Sequence, residues 1–102
     1  MLASHYAPNA SVRLNATEVS STEALIAFGA SNISGASTAT AVFNLSPDGD
    51  LAEAASNLFD FLKRADASGA AGIAVAPIPD EGLGEAINDR LMRAAAPRGT
   101  EG

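Results

Sequence analysis

The sequence predicts a small α/β domain built on a mostly parallel sheet of about four strands covered by helices. Three observations carry that prediction. Continuous apolar runs at 24–28 and 72–76 are too short for helices and suit strands buried on both faces, as in a parallel sheet. Apolar residues at Leu51, Ala54, Ala55, Leu58, Phe61, Leu62 and Ala65 trace one face at the helical period. That helix lies between the strand candidates 39–45 and 72–76, the arrangement of a parallel, right-handed βαβ unit.

Taken in order, residues 1–10 are extended rather than core-forming, since Pro8 biases Ala7 away from helix. They carry the lone His and the lone Tyr of the chain, His5 and Tyr6, side by side. Ser11-Val12-Arg13-Leu14 alternates as a short strand at or near a sheet edge. Residues 15–22 are polar and form a loop, and Ala24-Leu25-Ile26-Ala27-Phe28 is a strand ending at Gly29. Residues 30–38 are small and polar, again a loop, before the strand at 39–45, which Ser46-Pro47-Asp48-Gly49 closes.

The helix at 50–66 has the best-specified ends. Asp50 with Glu53 has capping-box spacing, Lys63 and Arg64 suit the negative end of the dipole, and Gly69 is placed to terminate it. The strand after Gly72 stops by about Ala76, because Pro77 and Pro79 cannot donate to a ladder. A second helix from about Gly82 to Ala95 shows Leu83, Ile87 and Leu91 every four residues. The sum is Rossmann-like in style. The expected organisation is an extended linker at 1–10, a domain at 11–97 and a disordered tail at 98–102.

Composition narrows the function. One domain of 102 residues, 47% apolar and rich in Ala, builds a thin core from closely packed backbones. Six Lys+Arg against twelve Asp+Glu give a net charge of −6, which disfavours nucleic-acid phosphates and anionic membranes. No apolar run is long enough to span a bilayer. Cysteine is absent, which removes disulfides and thiolate chemistry and fits a reducing compartment, so a cytoplasmic location is expected.

A single His rules out a His-cluster metal site, and the scattered carboxylates show no pairing for acid–base work. Gly82-Leu83-Gly84 lies where a phosphate loop would sit, yet Asp80, Glu81 and Glu85 around it would repel an anion, so a structural helix start is the better reading. The loop from Gly29 to Gly35 offers backbone N–H groups, but a permissive surface loop accounts for it. Asp89 and Arg93 are spaced to pair on the surface, and Asn88 and Arg90 are placed to reach a neighbouring loop or domain. No catalytic residue and no resident cofactor emerge from this chemistry.

The wording of three stretches adds a resemblance. Pro77-x-Pro79-x-x-Gly82-Leu83-Gly84-x-Ala86-Ile87-x-x-Arg90-Leu91 resembles the closing signature of the C-terminal domain of two-domain L-threonylcarbamoyladenylate synthases. Asn57-Leu58-Phe59-x-x-Leu62-Lys63-Arg64-x-Asp66 is similar to that family's N-L-F-x-x-L-R-x-x-D helix. His5-Tyr6-Ala7-Pro8 looks like the end of the family's interdomain linker, with Met1 on the motif's Met.

The resemblance implies a parent enzyme that converts L-threonine, bicarbonate and ATP to threonylcarbamoyl-AMP and pyrophosphate, for tRNA threonylcarbamoyladenosine. It places that chemistry in an N-terminal YrdC-like catalytic domain, the implied partner, with ATP as the parent's substrate. Tyr6 would contact nucleotide from a linker folded over that domain's pocket, with His5 as its neighbour. Two departures stand out: Leu2-Ala3-Ser4 replaces the Lys/Arg common before His-Tyr, and 15–38 is short and loop-rich, so one helix of the family fold is expected to be lost. Two rival functions remain open. One is a free-standing nucleotide or small-molecule module using the two glycine loops; the other is a docking domain for protein partners.

Overall fold

The structure is a computed structural model and describes residues 10–30 and 33–95. Four strands form one sheet: β1 (Ser11–Arg13), β2 (Glu23–Ala27), β3 (Ala41–Asn44) and β4 (Gly72–Val75). Two helices accompany them, α1 (Leu51–Ala67) between β3 and β4 and α2 (Leu83–Ala95) after β4. The strand order is β1-β4-β2-β3 and every pairing is parallel. The expected β3–α1–β4 crossover is present, but β2 is inserted between its two strands. β2 and β4 are central and almost wholly buried, whereas β1 forms one edge, as its short polar sequence predicts.

α1 starts with a variation on the capping box. The Asp50 carboxylate accepts from the N–H groups of Ala52 at 2.9 Å and Glu53 at 3.4 Å. The reciprocal half runs through a third residue: buried Ser46 accepts from the Asp50 N–H at 2.9 Å and donates its hydroxyl to Glu53 at 2.7 Å. The helix ends at Ser68, followed by Gly69 at φ 88, the left-handed conformation that terminates helices. β4 pairing persists to the Ala76 N–H, which donates to Ile26, and Pro77 then ends it. In α2, buried Gly84 lies against the Pro79 carbonyl oxygen so closely that any Cβ there would collide with backbone.

Both helices pack on the same face. Ala24, Ile26, Ile73 and Val75 of the sheet meet Leu58 and Leu62 of α1 and Ile87 and Leu91 of α2. Each fully buried Leu or Ile contributes about 1.5–3 kcal/mol relative to exposure, so this layer holds most of the apolar driving force. The opposite face has no α-helix among the described residues. Ala16, Val19 and Ile33 cover Leu25, Ala27, Ala74 and Ala76 instead.

The two polar loops are therefore a structural layer. Val19 donates to the Ser34 carbonyl at 2.8 Å and Ser34 to Thr17 at 3.3 Å, a short parallel bridge laid over the sheet. The short 3₁₀ turn Ala36–Thr38 is the only helical turn there among the described residues. Alanines on the sheet permit such thin cover, because backbone can approach to within a methyl group.

Candidate functional site

Parallel strands aim their carboxyl ends the same way, and a crevice opens between neighbours whose following connections leave to opposite faces. β1 and β4 are such a pair. The chain after β1 turns to the loop face, where Ala16 donates to the Val75 carbonyl at 2.8 Å and Ala16 and Val19 are buried. The chain after β4 turns to the helix face and becomes α2. At that point lies a cavity of about 240 Å³. Leu14, Val75, Ile78 and Leu91 supply its apolar lining, and Asn15, Asp80 and Asn88 supply polar groups.

Each polar group is held by a nameable device. Asn15 adopts φ 55, a left-handed backbone that Asn tolerates better than most residues, and this turns the chain sharply out of β1. Asp80 follows Pro79, whose fixed φ stiffens the loop. Asn88 donates to the Ile78 carbonyl at 3.0 Å and, at a longer 3.5 Å, to the Asp80 carboxylate. Its amide nitrogen is thereby committed, and its Oδ1 is the atom left for other partners.

The two glycine loops are structural. The Gly29 N–H donates to Ser46 at 2.8 Å and its carbonyl accepts from Asn44 at 3.0 Å, so this glycine is tied to the end of β3. Gly35, at φ 87, faces the Val19 carbonyl with no room for a side chain. Around Gly82 and Gly84 the exposed carboxylates Asp80, Glu81 and Glu85 remain, which suits a helix start. Asp89 and Arg93 pair at 3.3 Å on the surface.

A second hollow, also about 240 Å³, lies between the helices, lined by Ala55, Leu58, Ile87 and half-exposed Phe59. Arg90 borders it, and the Lys63 ammonium stands 5.2 Å from the Phe59 ring centre, a cation–π contact.

His5 and Tyr6 lie outside the described residues. The next position downstream that the structure does describe is Ala10, whose N–H donates to the Asp66 carboxylate at 3.0 Å. The start of β1 is thus fastened to the last turn of α1. Among the described residues, no group of three or more His, Asp or Glu is arranged to hold a metal ion, and no helix is long and apolar enough to cross a membrane.

Comparison with protein families decides the relationship. The family described as "Threonylcarbamoyl-AMP synthase, C-terminal domain" matches residues 1–96. The chain belongs to that family. No curated protein and no solved structure gives a significant match. Membership of the threonylcarbamoyl-AMP synthase family makes a catalytic domain the natural neighbour of this one, and the match extends across His5 and Tyr6.

The cleft at Asn15, Asp80 and Asn88 was not foreseen as a site. Its sequence signal was a polar residue just beyond the carboxyl end of each of two strands. That signal has meaning only once β1 and β4 are known to be neighbours.

Proposed function

We propose that this threonylcarbamoyl-AMP synthase domain is an accessory domain, which positions the interdomain linker as a lid over the YrdC-like catalytic domain. The catalytic domain would bind ATP, L-threonine and bicarbonate. The lid would shield the reactive adenylate from water until it is passed on for tRNA modification. In this reading Tyr6 contacts nucleotide and His5 lies beside it.

The observation that carries the reading is the 3.0 Å hydrogen bond from Ala10 to Asp66. It holds Ala10, the last residue of the proposed linker, against the last turn of a seventeen-residue helix packed on the core, which supports the reading. A tether whose root is fixed searches less space than a free one, which lowers the entropic cost of closing it over a pocket. Asp66 also ends the second stretch on which the family resemblance rests.

The test measures adenylate synthesis and release of free intermediate by the enzyme carrying both domains, comparing wild type with Tyr6→Ala and Asp66→Ala. Tyr6→Ala is expected to lower turnover and increase escape of the intermediate, and Asp66→Ala to do the same more weakly. Unchanged synthesis and unchanged escape in both variants would defeat the lid.

A further inference from the structure

We propose that the crevice between Asn15, Asp80 and Asn88 binds a compact ligand carrying an ammonium group on an apolar body. Three independent features converge there. The position is the switch point between β1 and β4, where the described connections leave to opposite faces and leave a gap. The gap is an actual cavity of about 240 Å³ with an apolar floor of Leu14, Val75, Ile78 and Leu91. The polar atoms at its rim, finally, are mostly acceptors.

That last feature selects the ligand. Asn88 spends its amide nitrogen on Ile78 and Asp80, leaving Oδ1 to accept. The Asp80 carboxylate receives only the long 3.5 Å contact from Asn88 among the described residues, so most of its accepting capacity is unused. Asn15 also lines the cavity, and its side chain makes no hydrogen bond among the described residues, so its amide oxygen is a further unused acceptor beside its two N–H donors.

Among the described residues no cationic side chain lines the cavity, and the chain's net charge is −6. A carboxylate or phosphate would therefore meet the Asp80 carboxylate with no lining cation to offset it, whereas an ammonium brings three donors to acceptors already in place. The volume is below the usual range of about 300–1,000 Å³ for ligand pockets, which restricts the apolar body to a short aliphatic chain. The site is separate from the linker root: Ala10 precedes the amino end of β1 and Asn15 follows its carboxyl end.

The probes are isoamylammonium, isoamyl alcohol and isovalerate, which share one carbon skeleton and differ in charge. Each is titrated into the ¹⁵N-labelled 102-residue chain and followed by amide chemical shifts. The expected result is saturable shifts confined to residues 14–16, 76–81 and 88–92 with the ammonium probe alone. Asp80→Asn, at an exposed position, is expected to weaken that binding by about tenfold or more, with unchanged thermal unfolding. Equal shifts from all three probes, shifts elsewhere on the surface, or full binding by Asp80→Asn would each overturn the proposal. The lid could fail its own test without affecting this one, because neither Tyr6 nor Asp66 takes part.

Discussion

Arg13 and Glu23 show how single residues hold the loop layer. The Arg13 guanidinium meets both Glu23 oxygens, at 2.8 and 3.2 Å, and also donates to the Glu18 carbonyl at 2.9 Å. The pair joins β1 to β2 across β4, whose Gly72 is the register partner of both Ser11 and Glu23. The Arg13 hydrogen bonds, then that from the Ser20 N–H, hold the Glu23 carboxyl below its ordinary value of 4.5. A carboxyl lowered in the folded state adds stability above its unfolded value, and that contribution disappears as pH falls through the folded value. Arg13 is shifted upward by the same hydrogen bond, which has no consequence in the neutral range. Because Arg13 is about half exposed (47%), the pair is worth no more than about 1 kcal/mol. Urea denaturation from pH 7 down to pH 3 should show Glu23→Gln less stable at neutral pH and converging with wild type in acid. Parallel curves at every pH would contradict this account.

At the scale of elements, the start of α1 depends on a residue outside the helix. Ser46 is fully buried and joins Asp50 to Glu53, so the first turn is fixed to the end of β3 by a hydroxyl. Asn57 repeats the device one turn later, donating to the Leu45 carbonyl at 3.0 Å. Ser46→Ala removes an acceptor from one N–H and a donor from one carboxylate. A loss of about 1–3 kcal/mol is expected, at least as large as the roughly 1 kcal/mol for Asp50→Ala. Chemical denaturation with an unchanged slope is the check; a Ser46→Ala variant as stable as wild type would mean that water replaces the hydroxyl. The sequence alone identified Asp50 as the cap and Glu53 as its partner three residues on. It did not reveal Ser46 as the link, since nothing in Ser46-Pro47-Asp48-Gly49 beyond turn chemistry marks that serine.

The whole molecule is asymmetric about its sheet. One face carries two helices and the large side chains; the other carries two loops joined by a short bridge. Local opening is easiest where few apolar contacts hold irregular backbone. Amide hydrogen exchange should therefore find Ala16, Val19 and Ser34 opening about tenfold or more faster than the amides of β2 and β4. Identical rates would show that the loop layer and the helix layer unfold as one unit. The proposed ligand crevice lies where these layers part, between a loop-face connection and a helix-face connection. Ala10, the proposed root of the linker, lies at the other end of β1.

Local information settled the elements. Period-four apolar spacing in 83–95, unbroken apolar runs at 24–28 and 72–76, Asp50, Gly69 and Pro77 each act within a few residues, so the chain's own wording specified them. The family likewise was legible in short stretches, which the match over residues 1–96 supports. Strand order, the placing of both helices on one face, and the meeting of Asn15 with Asp80 and Asn88 were decided only by tertiary packing. They depend on which buried strands become neighbours, and runs such as Ile73-Ala74-Val75 and Leu25-Ile26-Ala27 are apolar on both faces. Such strands carry no alternation to say which partner or which covering layer each side will meet.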